Sequence, residues 1–164
     1  MTQITLRDLT PEDYARIVEI NEVEVQQTSA MNLARLAQLV GLSSYHKVAL
    51  VDGRVAAFLL AMRENADYQN ENYSWFATRF QQFVYVDRIV VASEFSGLKI
   101  GSLLYADLFD DTRALGIKTV TCEYNIQPPN PASKNFHDKF GFKELATQWV
   151  ANGAKEVTLQ AATV

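Results

Sequence analysis

The sequence predicts an α+β fold, layered α/β/α, in which helices flank a mixed and mostly antiparallel sheet. Segments with the alternating pattern of strands are interspersed with amphipathic segments along the chain. An Asp-Gly pair at Asp52 and Gly53 and an Asn-Gly pair at Asn152 and Gly153 each separate two strand-like runs, which is typical of antiparallel hairpins. With 164 residues, of which 48% are hydrophobic, the chain fits a single domain over residues 1–164.

The order of the elements follows from the spacing of apolar residues. A period of about 3.6 residues predicts helices, and a period of about two predicts strands. The expected helices cover residues 10–25, 30–40, 100–115 and 130–140. The expected strands cover residues 4–9, 46–51, 54–62, 82–91, 118–124, 142–150 and 155–160. The segment 63–81 has no sustained alternation, and we expect it to be irregular and partly helical.

Capping residues set the ends of the predicted helices. Thr10 is the expected N-cap of the first helix, with Pro11 at its first position and Asp13 in its first turn, and Asn130 is the expected N-cap of the last. Three glycines mark the expected stops, namely Gly41, Gly116 and Gly141. The helix over 100–115 is expected to bury a stripe formed by Leu103, Leu104, Leu108, Thr112 and Leu115.

Composition argues against several classes of function. The net charge is −4 and no basic run occurs, so we expect no nucleic-acid partner. No apolar run reaches about 18 residues and the N-terminus lacks a secretory signal pattern, so we expect a cytoplasmic protein without a membrane partner. The single cysteine, Cys122, rules out an internal disulfide and is expected to be a buried small hydrophobe. With only His46 and His137 as histidines, we expect no metal.

The segment VDRIVVASEFSGLKIGSLLYADLF, residues 86–109, runs from a strand through a glycine-containing turn into a helix. Such a turn directs backbone N–H groups inward and forms an anion cradle, with phosphate as the usual ligand. Gly97 and Gly101 allow close approach, Ser102 can donate a hydroxyl, and Lys99 adds a charge, without strain if its φ is negative. The segment matches neither the P-loop nor the dinucleotide-binding pattern. The alternative is that its glycines serve turn geometry only.

Three stretches carry a resemblance to a known family. RIVVASEFSGLKIGSLL aligns with the pattern Q/RxxGxG/A. Ser96 stands at the Q/R position and Lys99 at the first glycine, so that only Gly101, at the second, keeps the pattern. CEYN resembles a fifth strand that ends in asparagine, and NPASKNFHDKFGF resembles NxxAxxxYxxxGF. In that last stretch the corresponding residues are Asn130, Ser133, His137 (in the tyrosine position), Gly141 and Phe142. Together with the order of elements, these stretches resemble the GNAT superfamily of acetyl-CoA-dependent N-acetyltransferases over nearly the whole chain.

The resemblance implies acetyl-CoA as cosubstrate and a sheet that is splayed between its fourth and fifth strands. In that family the pantetheine arm lies between these strands and bonds to the edge of the fourth, which here is formed by Ile89, Val90 and Val91. The turn that would wrap the pyrophosphate comprises Ser96, Gly97, Leu98, Lys99, Ile100, Gly101 and Ser102. The remaining implied cofactor-binding residues are Asn125, Asn130 and Ser133.

The implied reaction is direct attack of a neutral primary amine on the thioester carbonyl in a ternary complex. It needs a base, an N–H donor for the developing oxyanion, and an acid for the leaving thiolate. Asp87 is the candidate base or substrate-orienting group, and Glu123 is a poorer one. Because strand neighbours point to opposite faces, Asp87 and Arg88 are not expected to pair with each other. His137 is the candidate acid, with Tyr124 and Tyr105 as alternatives, Tyr124 first.

The acceptor, an amine of a small molecule or peptide, is the part that the sequence leaves most open. The aromatic side chains of the segment 63–81, Tyr73 and Trp75 in particular, are expected to line the acceptor site. The alternative is a solvated loop with aromatic anchors. A second class of function is a non-catalytic GNAT-like CoA-binding or regulatory module, which the departures at Ser96, Lys99 and His137 would also fit. The sequence is compatible with either a monomer or a homodimer.

Overall fold

A computed structural model describes residues 1–24, 28–127 and 129–164 of the chain. These residues divide into two compact units. The first unit comprises Met1–Met62 and Val86–Asp111, and the second comprises Arg63–Tyr85 and Thr112–Val164. No helix within the described ranges has the length and apolar character needed to cross a membrane.

The helices and strands follow the predicted order. The described helices are α1 (Tyr14–Val23), α2 (Leu33–Leu42), α3 (Glu71–Ala77), α4 (Ile100–Ala114) and α5 (Pro131–Lys139). Short 3-10 turns precede α1 at Pro11–Asp13 and follow the fourth strand at Ser93–Phe95. The described strands are β1 (Ile4–Asp8), β2 (Tyr45–Val51), β3 (Arg54–Arg63), β4 (Val84–Val91), β5 (Thr119–Gln127), β6 (Lys143–Val150) and β7 (Lys155–Thr163). The last predicted residue of the first helix, Val25, lies outside the described residues.

In the first unit, strands β1, β2 and β3 pair antiparallel to one another in chain order. Strand β1 pairs with β2 from Ile4 opposite Val51 onward, and β2 pairs with β3. Asp52 and Gly53 both have positive φ, 48° and 85°, which is the primed turn that fits the twist of a two-residue hairpin. Strand β3 in turn neighbours β4. The Asp-Gly hairpin is therefore confirmed.

Side chains at helical spacing supply the core of the first unit. Ile17 and Ile20 of α1 and Leu36 and Leu39 of α2 are each at most 3% exposed, and burying one such side chain contributes about 1.5–3 kcal/mol. The expected stop at Gly41 is wrong, because α2 continues to Leu42 and the backbone N–H of the next residue still bonds to the helix. A glycine inside a helix is tolerated when neighbouring contacts hold the helix.

The sheet of the second unit joins a parallel pair to an antiparallel hairpin. Strand β5 pairs antiparallel with β7, and β7 pairs with β6. The start of β4 pairs parallel with β5, Val84 opposite Val120 and Tyr85 opposite Thr121. This parallel ladder joins the beginnings of the two strands. The β6–β7 turn contains the predicted Asn-Gly pair within a longer loop over residues 151–154.

Aromatic rings fill the core of the second unit. Tyr73 and Phe76 of α3 lie against Tyr85, with ring centroids 5.6 Å and 5.8 Å away, and Phe83 lies 5.6 Å from Tyr73. Tilted and edge-on rings at these distances stabilise a core beyond their apolar area. The segment 63–81 is thus irregular with one short helix, as predicted.

The buried face of α4 differs from the predicted stripe at two positions. Leu104, Leu108 and Thr112 are buried as expected, whereas Leu103 and Leu115 are 43% and 51% exposed. The inward positions are instead filled by two aromatic residues, because Tyr105 and Phe109 are buried and their rings stack 6.1 Å apart. The buried face of α4 is therefore rotated relative to the predicted one, so that it includes Tyr105 and Phe109 in place of Leu103 and Leu115. Gly116, at φ 77°, ends the helix as predicted.

Helix α5 begins and ends as its sequence predicts. The Asn130 side chain accepts a hydrogen bond from the backbone N–H of Ser133, at 3.3 Å, which makes it the N-cap. At the other end Gly141 has φ 82°, its N–H bonds to the carbonyl of Asp138, and the N–H of Phe142 bonds to that of His137. This pair of bonds is a Schellman motif, which requires the left-handed residue that glycine supplies.

Candidate active site

Strand β4 leads directly into the predicted phosphate turn within the first unit. Val90 is buried, while Ile89 and Val91 are half-buried. After the strand the backbone N–H of Ala92 bonds to the carbonyl of Ala56 at 2.8 Å, and this bond holds the end of β4 against β3. The backbone of 89–91 is thereby fixed just before the chain turns.

The turn over residues 96–99 contains two residues with left-handed backbone. Gly97 has φ 83° and Lys99 has φ 60°. Lys99 would be free of backbone strain only at a negative φ. Its φ is positive, so its backbone is strained. A left-handed side-chain-bearing residue costs about 1–2 kcal/mol. The turn itself requires this φ at the position where the GNAT pattern has glycine.

Helix α4 starts immediately after Lys99, whose carbonyl accepts the N–H of Leu103 at 3.1 Å. The first N–H groups of an α-helix have no partner inside the helix, and those of Ile100, Gly101 and Ser102 are in this position. Ser96, Gly97, Leu98 and Lys99 are exposed at the same turn. Backbone donors, a hydroxyl and an ammonium group thus belong to one short segment that can hold an anion.

Asp87 and Arg88 form an ion pair, which corrects the expectation from strand geometry. Arg88 Nε donates to Asp87 Oδ2 at 3.0 Å, and the two side chains are 5% and 3% exposed. The long arginine side chain reaches around the strand, so opposite starting directions do not prevent the bond. The guanidinium also bonds to Asn21 and Ser29.

Glu123, the poorer candidate base in the sequence, lies at the centre of a hydrogen-bonded polar cluster in the second unit. Tyr85 Oη lies 2.7 Å and 2.9 Å from the two carboxylate oxygens, and Asn72 Nδ2 donates to Oε1 at 3.0 Å. Gln148 Nε2 donates to Asn72 Oδ1 at 2.9 Å. The available sequence signal is that Tyr85 and Glu123 interrupt apolar strand runs. Their partners, from α3 and β6, are visible only in the fold.

His137 is buried in α5, with 4% of its surface exposed. Its Nδ1 lies 2.7 Å from the backbone oxygen of Ser133 and 3.2 Å from the Ser133 hydroxyl. Because a carbonyl oxygen only accepts, Nδ1 carries the proton and Nε2 is bare in the neutral ring. Burial lowers the pKa of His137 below its ordinary value of about 6.5, and the bond to the Ser133 backbone opposes that only in part.

The other residues predicted in the second unit have mixed environments. Asn125 is 6% exposed and lies where the β5–β7 register shifts, while Tyr124 is half-buried beside it. Asn130 and Ser133 serve the helix itself, the first as its cap and the second through His137. Cys122 is buried, as predicted, and Gln160 Nε2 lies 3.2 Å from its sulfur.

Tyr73 and Trp75 both lie on α3, and a pocket of about 410 Å³ is lined by Tyr73 but not by Trp75. Tyr73 lines it, but its hydroxyl is occupied: it donates to the Arg63 carbonyl at 2.6 Å and accepts the N–H of Ala66 at 3.0 Å. Trp75 is half-buried under the guanidinium of Arg79, 3.8 Å from the ring centroid. Glu64 and Arg79 give the lining charges of both signs.

Comparison with known proteins agrees with this arrangement of elements. Residues 6–142 match the profile of the Acetyltransferase (GNAT) family. Over 73 residues the chain is 41% identical to the phosphinothricin N-acetyltransferase of Streptomyces coelicolor, a match that spans 44% of this chain and 38% of that relative. The chain thus matches less than half the length of this curated relative.

Two solved structures show the same fold at low sequence identity. The ribosomal-protein-S18-alanine N-acetyltransferase of Escherichia coli superposes with a TM-score of 0.75 at 16% identity, over 99% of this chain and 94% of that chain. Naa50 of Arabidopsis thaliana, in complex with the bisubstrate analogue CoA-Ac-MVNAL, gives a TM-score of 0.75 at 15% identity, over 98% and 99%. Because the family profile covers well over half of the sequence, this protein belongs to the Acetyltransferase (GNAT) family.

Proposed function

We propose that this protein transfers an acetyl group from acetyl-CoA to a primary amine of a small molecule or peptide, by direct attack in a ternary complex. The observation that carries the proposal is the turn at 96–99, whose left-handed Gly97 and Lys99 deliver the chain into the start of α4. Membership of the family and the CoA analogue held by the structural neighbour from Arabidopsis support acetyl-CoA as the donor.

The chain offers groups suited to each part of that donor. Residues 96–102 supply backbone N–H groups, the Ser102 hydroxyl and the Lys99 ammonium group for a pyrophosphate. The backbone of Ile89, Val90 and Val91 supplies hydrogen bonds for an amide-containing arm, and an N–H there can stabilise a developing oxyanion. When bound, acetyl-CoA supplies the thioester carbonyl that the amine attacks. Asn125 is proposed as a further contact for the arm.

We assign Asp87 the task of accepting the amine's proton, directly or through water, or of orienting the amine. Its carboxylate accepts a hydrogen bond from Arg88 Nε at 3.0 Å, which fixes its direction. A carboxylate held in one direction is suited to orienting the amine, so the orienting task is the one that its surroundings favour. Exchanging Asp87 for asparagine separates the two roles, since an amide can still accept a hydrogen bond from an ammonium but cannot take its proton.

Protonation of the leaving thiolate is assigned to His137, with Tyr124 as the second candidate. Only the imidazolium of His137 can donate from Nε2, and the lowered pKa makes that form scarce at pH 7. If His137 is the acid, kcat therefore declines as pH rises through a value below about 6.5. A kcat that is constant from pH 5.5 to 7.5 would transfer the role to Tyr124.

The acceptor is proposed to be an amine that reaches the pocket lined by Tyr73, with Trp75 on the same helix as a second candidate contact. The similarity to a phosphinothricin N-acetyltransferase makes phosphinothricin the first compound to test. Replacing Tyr73 and Trp75 by alanine should raise the acceptor KM more than the KM for acetyl-CoA. Equal changes in both would show that the two rings serve packing only, which the hydrogen bonds of Tyr73 would explain.

Two measurements test the proposal. Calorimetry with acetyl-CoA, CoA, NAD and ATP should give strong binding for the first two only. A free-thiol assay with phosphinothricin, amino acids, polyamines, aminoglycosides and peptides with free N-termini should then show transfer to at least one amine. CoA binding without transfer to any of them would favour the non-catalytic CoA-binding or regulatory module, and absence of CoA binding would overturn both functions.

A further inference from the structure

We propose that Arg88 is a positioning residue that controls how the acceptor amine reaches Asp87, by holding the segment Thr28-Ser29 over the strand. The inference rests on the proposed acetyl transfer and adds a residue to it. It is carried by a group of bonded residues within the first unit, Asn21, Thr28, Ser29, Asp87 and Arg88, which we call the Arg88 cluster.

The guanidinium of Arg88 is buried and bonded in several directions. Nε donates to Asp87 Oδ2 at 3.0 Å, Nη1 donates to Asn21 Oδ1 at 3.1 Å and to the Ser29 carbonyl at 3.0 Å, and Nη2 donates to Ser29 Oγ at 2.9 Å. Its planar fork addresses three residues at once, which a lysine ammonium cannot reproduce. Arg88 therefore determines the relative positions of Asp87 and Ser29.

A second side chain holds the same segment from the helix side. Asn21 of α1 is fully buried, and its Nδ2 donates to the Ser29 carbonyl at 2.9 Å while its Oδ1 lies 3.3 Å from Thr28 Oγ1. The Ser29 carbonyl thus accepts from both Asn21 and Arg88. Residues 28 and 29, in the connection between α1 and α2, are fixed by α1 and β4 together.

In the Arg88 cluster, the guanidinium of Arg88 links Ser29 to the carboxylate of Asp87, with one hydrogen bond to each. Ser29 is exposed, whereas the Asp87 side chain is 3% exposed. The position of the Asp87 carboxylate depends on the guanidinium of Arg88, which also holds Ser29. An amine oriented by Asp87 therefore depends on the same guanidinium. Altering the hold on Ser29 should therefore change acceptor binding and leave the phosphate turn at 96–99 unaffected.

Mild substitutions test this inference, because deleting a buried charge that has a bonded counter-ion is strongly destabilising. Ser29→Ala removes one acceptor of Nη2 and keeps the backbone bonds, and Arg88→Lys keeps the charge but not the fork. Ser44→Ala, at an exposed serine of the same unit outside the Arg88 cluster, is the matched control. Each variant is assayed with acetyl-CoA and the amine, from phosphinothricin and the wider panel, that the wild type acetylates fastest.

We expect Ser29→Ala to raise the acceptor KM about three- to tenfold, the range of one hydrogen bond. Arg88→Lys should raise it further, while the KM for acetyl-CoA stays within about twofold and Ser44→Ala resembles the wild type. In hydrogen exchange, amides near residues 28–32 should exchange faster in Arg88→Lys, with β1 and β2 unchanged. This local change distinguishes positioning from general loss of stability.

The results that would overturn the inference differ from those that would overturn the proposed function. An active enzyme in which Ser29→Ala and Arg88→Lys keep the wild-type acceptor KM, or raise both KM values equally, overturns the positioning role alone. Unchanged exchange near residues 28–32 in Arg88→Lys also overturns it. A wild-type protein that acetylates no amine in the panel overturns the acetyl-transfer proposal, and the positioning role with it, whatever the exchange data show.

Discussion

His137 and Ser133 are joined one helical turn apart in α5, with Nδ1 of the ring 2.7 Å from the backbone oxygen of Ser133. This bond fixes the neutral ring in the tautomer in which Nδ1 carries the proton and Nε2 does not. The ring also lies edge-on to Phe136 and Phe142, with centroids 5.3 Å away in both cases. A histidine packed between two aromatic rings is favoured in its neutral form.

The buried His137 should make the stability of the protein depend on pH in the mildly acidic range. Its folded pKa is lowered, so the unfolded chain binds a proton more readily and the stabilisation is complete above about pH 6.5. It is lost as pH falls through the folded pKa. Melting temperatures from pH 7.5 to 5 should decline less in His137→Gln than in the wild type. Parallel declines in the two proteins would contradict a buried neutral ring.

Replacing Lys99 by glycine should weaken CoA binding without lowering the stability of the protein. The left-handed backbone at φ 60° suits glycine, and relief of about 1–2 kcal/mol is offset in part by the extra freedom of glycine in the unfolded chain. We therefore expect a melting temperature that is unchanged or slightly raised. Loss of the ammonium group should weaken CoA binding several-fold in calorimetry.

Lys99→Asn separates the two effects, because asparagine tolerates the left-handed region but is uncharged. It should weaken CoA binding about as much as Lys99→Gly does. If both variants bind CoA as tightly as the wild type, the ammonium group does not contact the phosphates.

A side chain at Gly101 should obstruct the approach of a phosphate to the first turn of α4. Gly101→Val is expected to weaken CoA binding at least tenfold while the protein stays folded, measured by calorimetry and circular dichroism. Gly41→Ala is the matched control, since Gly41 lies inside α2 and an added Cβ would meet nothing within 4 Å. That control should gain about 0.4–1 kcal/mol of stability and keep its CoA affinity. Unchanged affinity in Gly101→Val would place the pyrophosphate elsewhere.

The pair formed by Arg7 and Asp13 should contribute to stability against acid. Two bonds of 2.7 Å and 2.9 Å from Arg7, together with burial that opposes them, leave the pKa of Asp13 below its ordinary value. The contribution is present above about pH 4 and is lost as pH falls through the folded pKa. Asp13→Asn should therefore lower the melting temperature at pH 7, and the difference from the wild type should shrink towards pH 2. A difference that is constant with pH would contradict this.

The local features of the fold were predictable because they depend on residues adjacent in sequence. Asp52 and Gly53 specify a hairpin by their own backbone preferences, and Asn130 caps α5 through a bond to a residue three positions away. The chain from β4 to α4 was predicted for the same reason. Gly41 shows the limit of such arguments, since a glycine stops a helix only where no contact continues it.

The side-chain environment of the candidate site was decided by tertiary structure. Alternation along β4 separates Asp87 from Arg88, but the arginine is long and finds Asn21 and Ser29 nearby, so the pair forms. The left-handed φ of Lys99 likewise comes from the path that the turn must take between β4 and α4. Sequence therefore determined which elements form and where the turn between β4 and α4 lies. Which charges are paired and which residues are strained depended on contacts between residues far apart in the sequence, such as Asn21 and Arg88, which are 67 positions apart. No local pattern encodes such contacts.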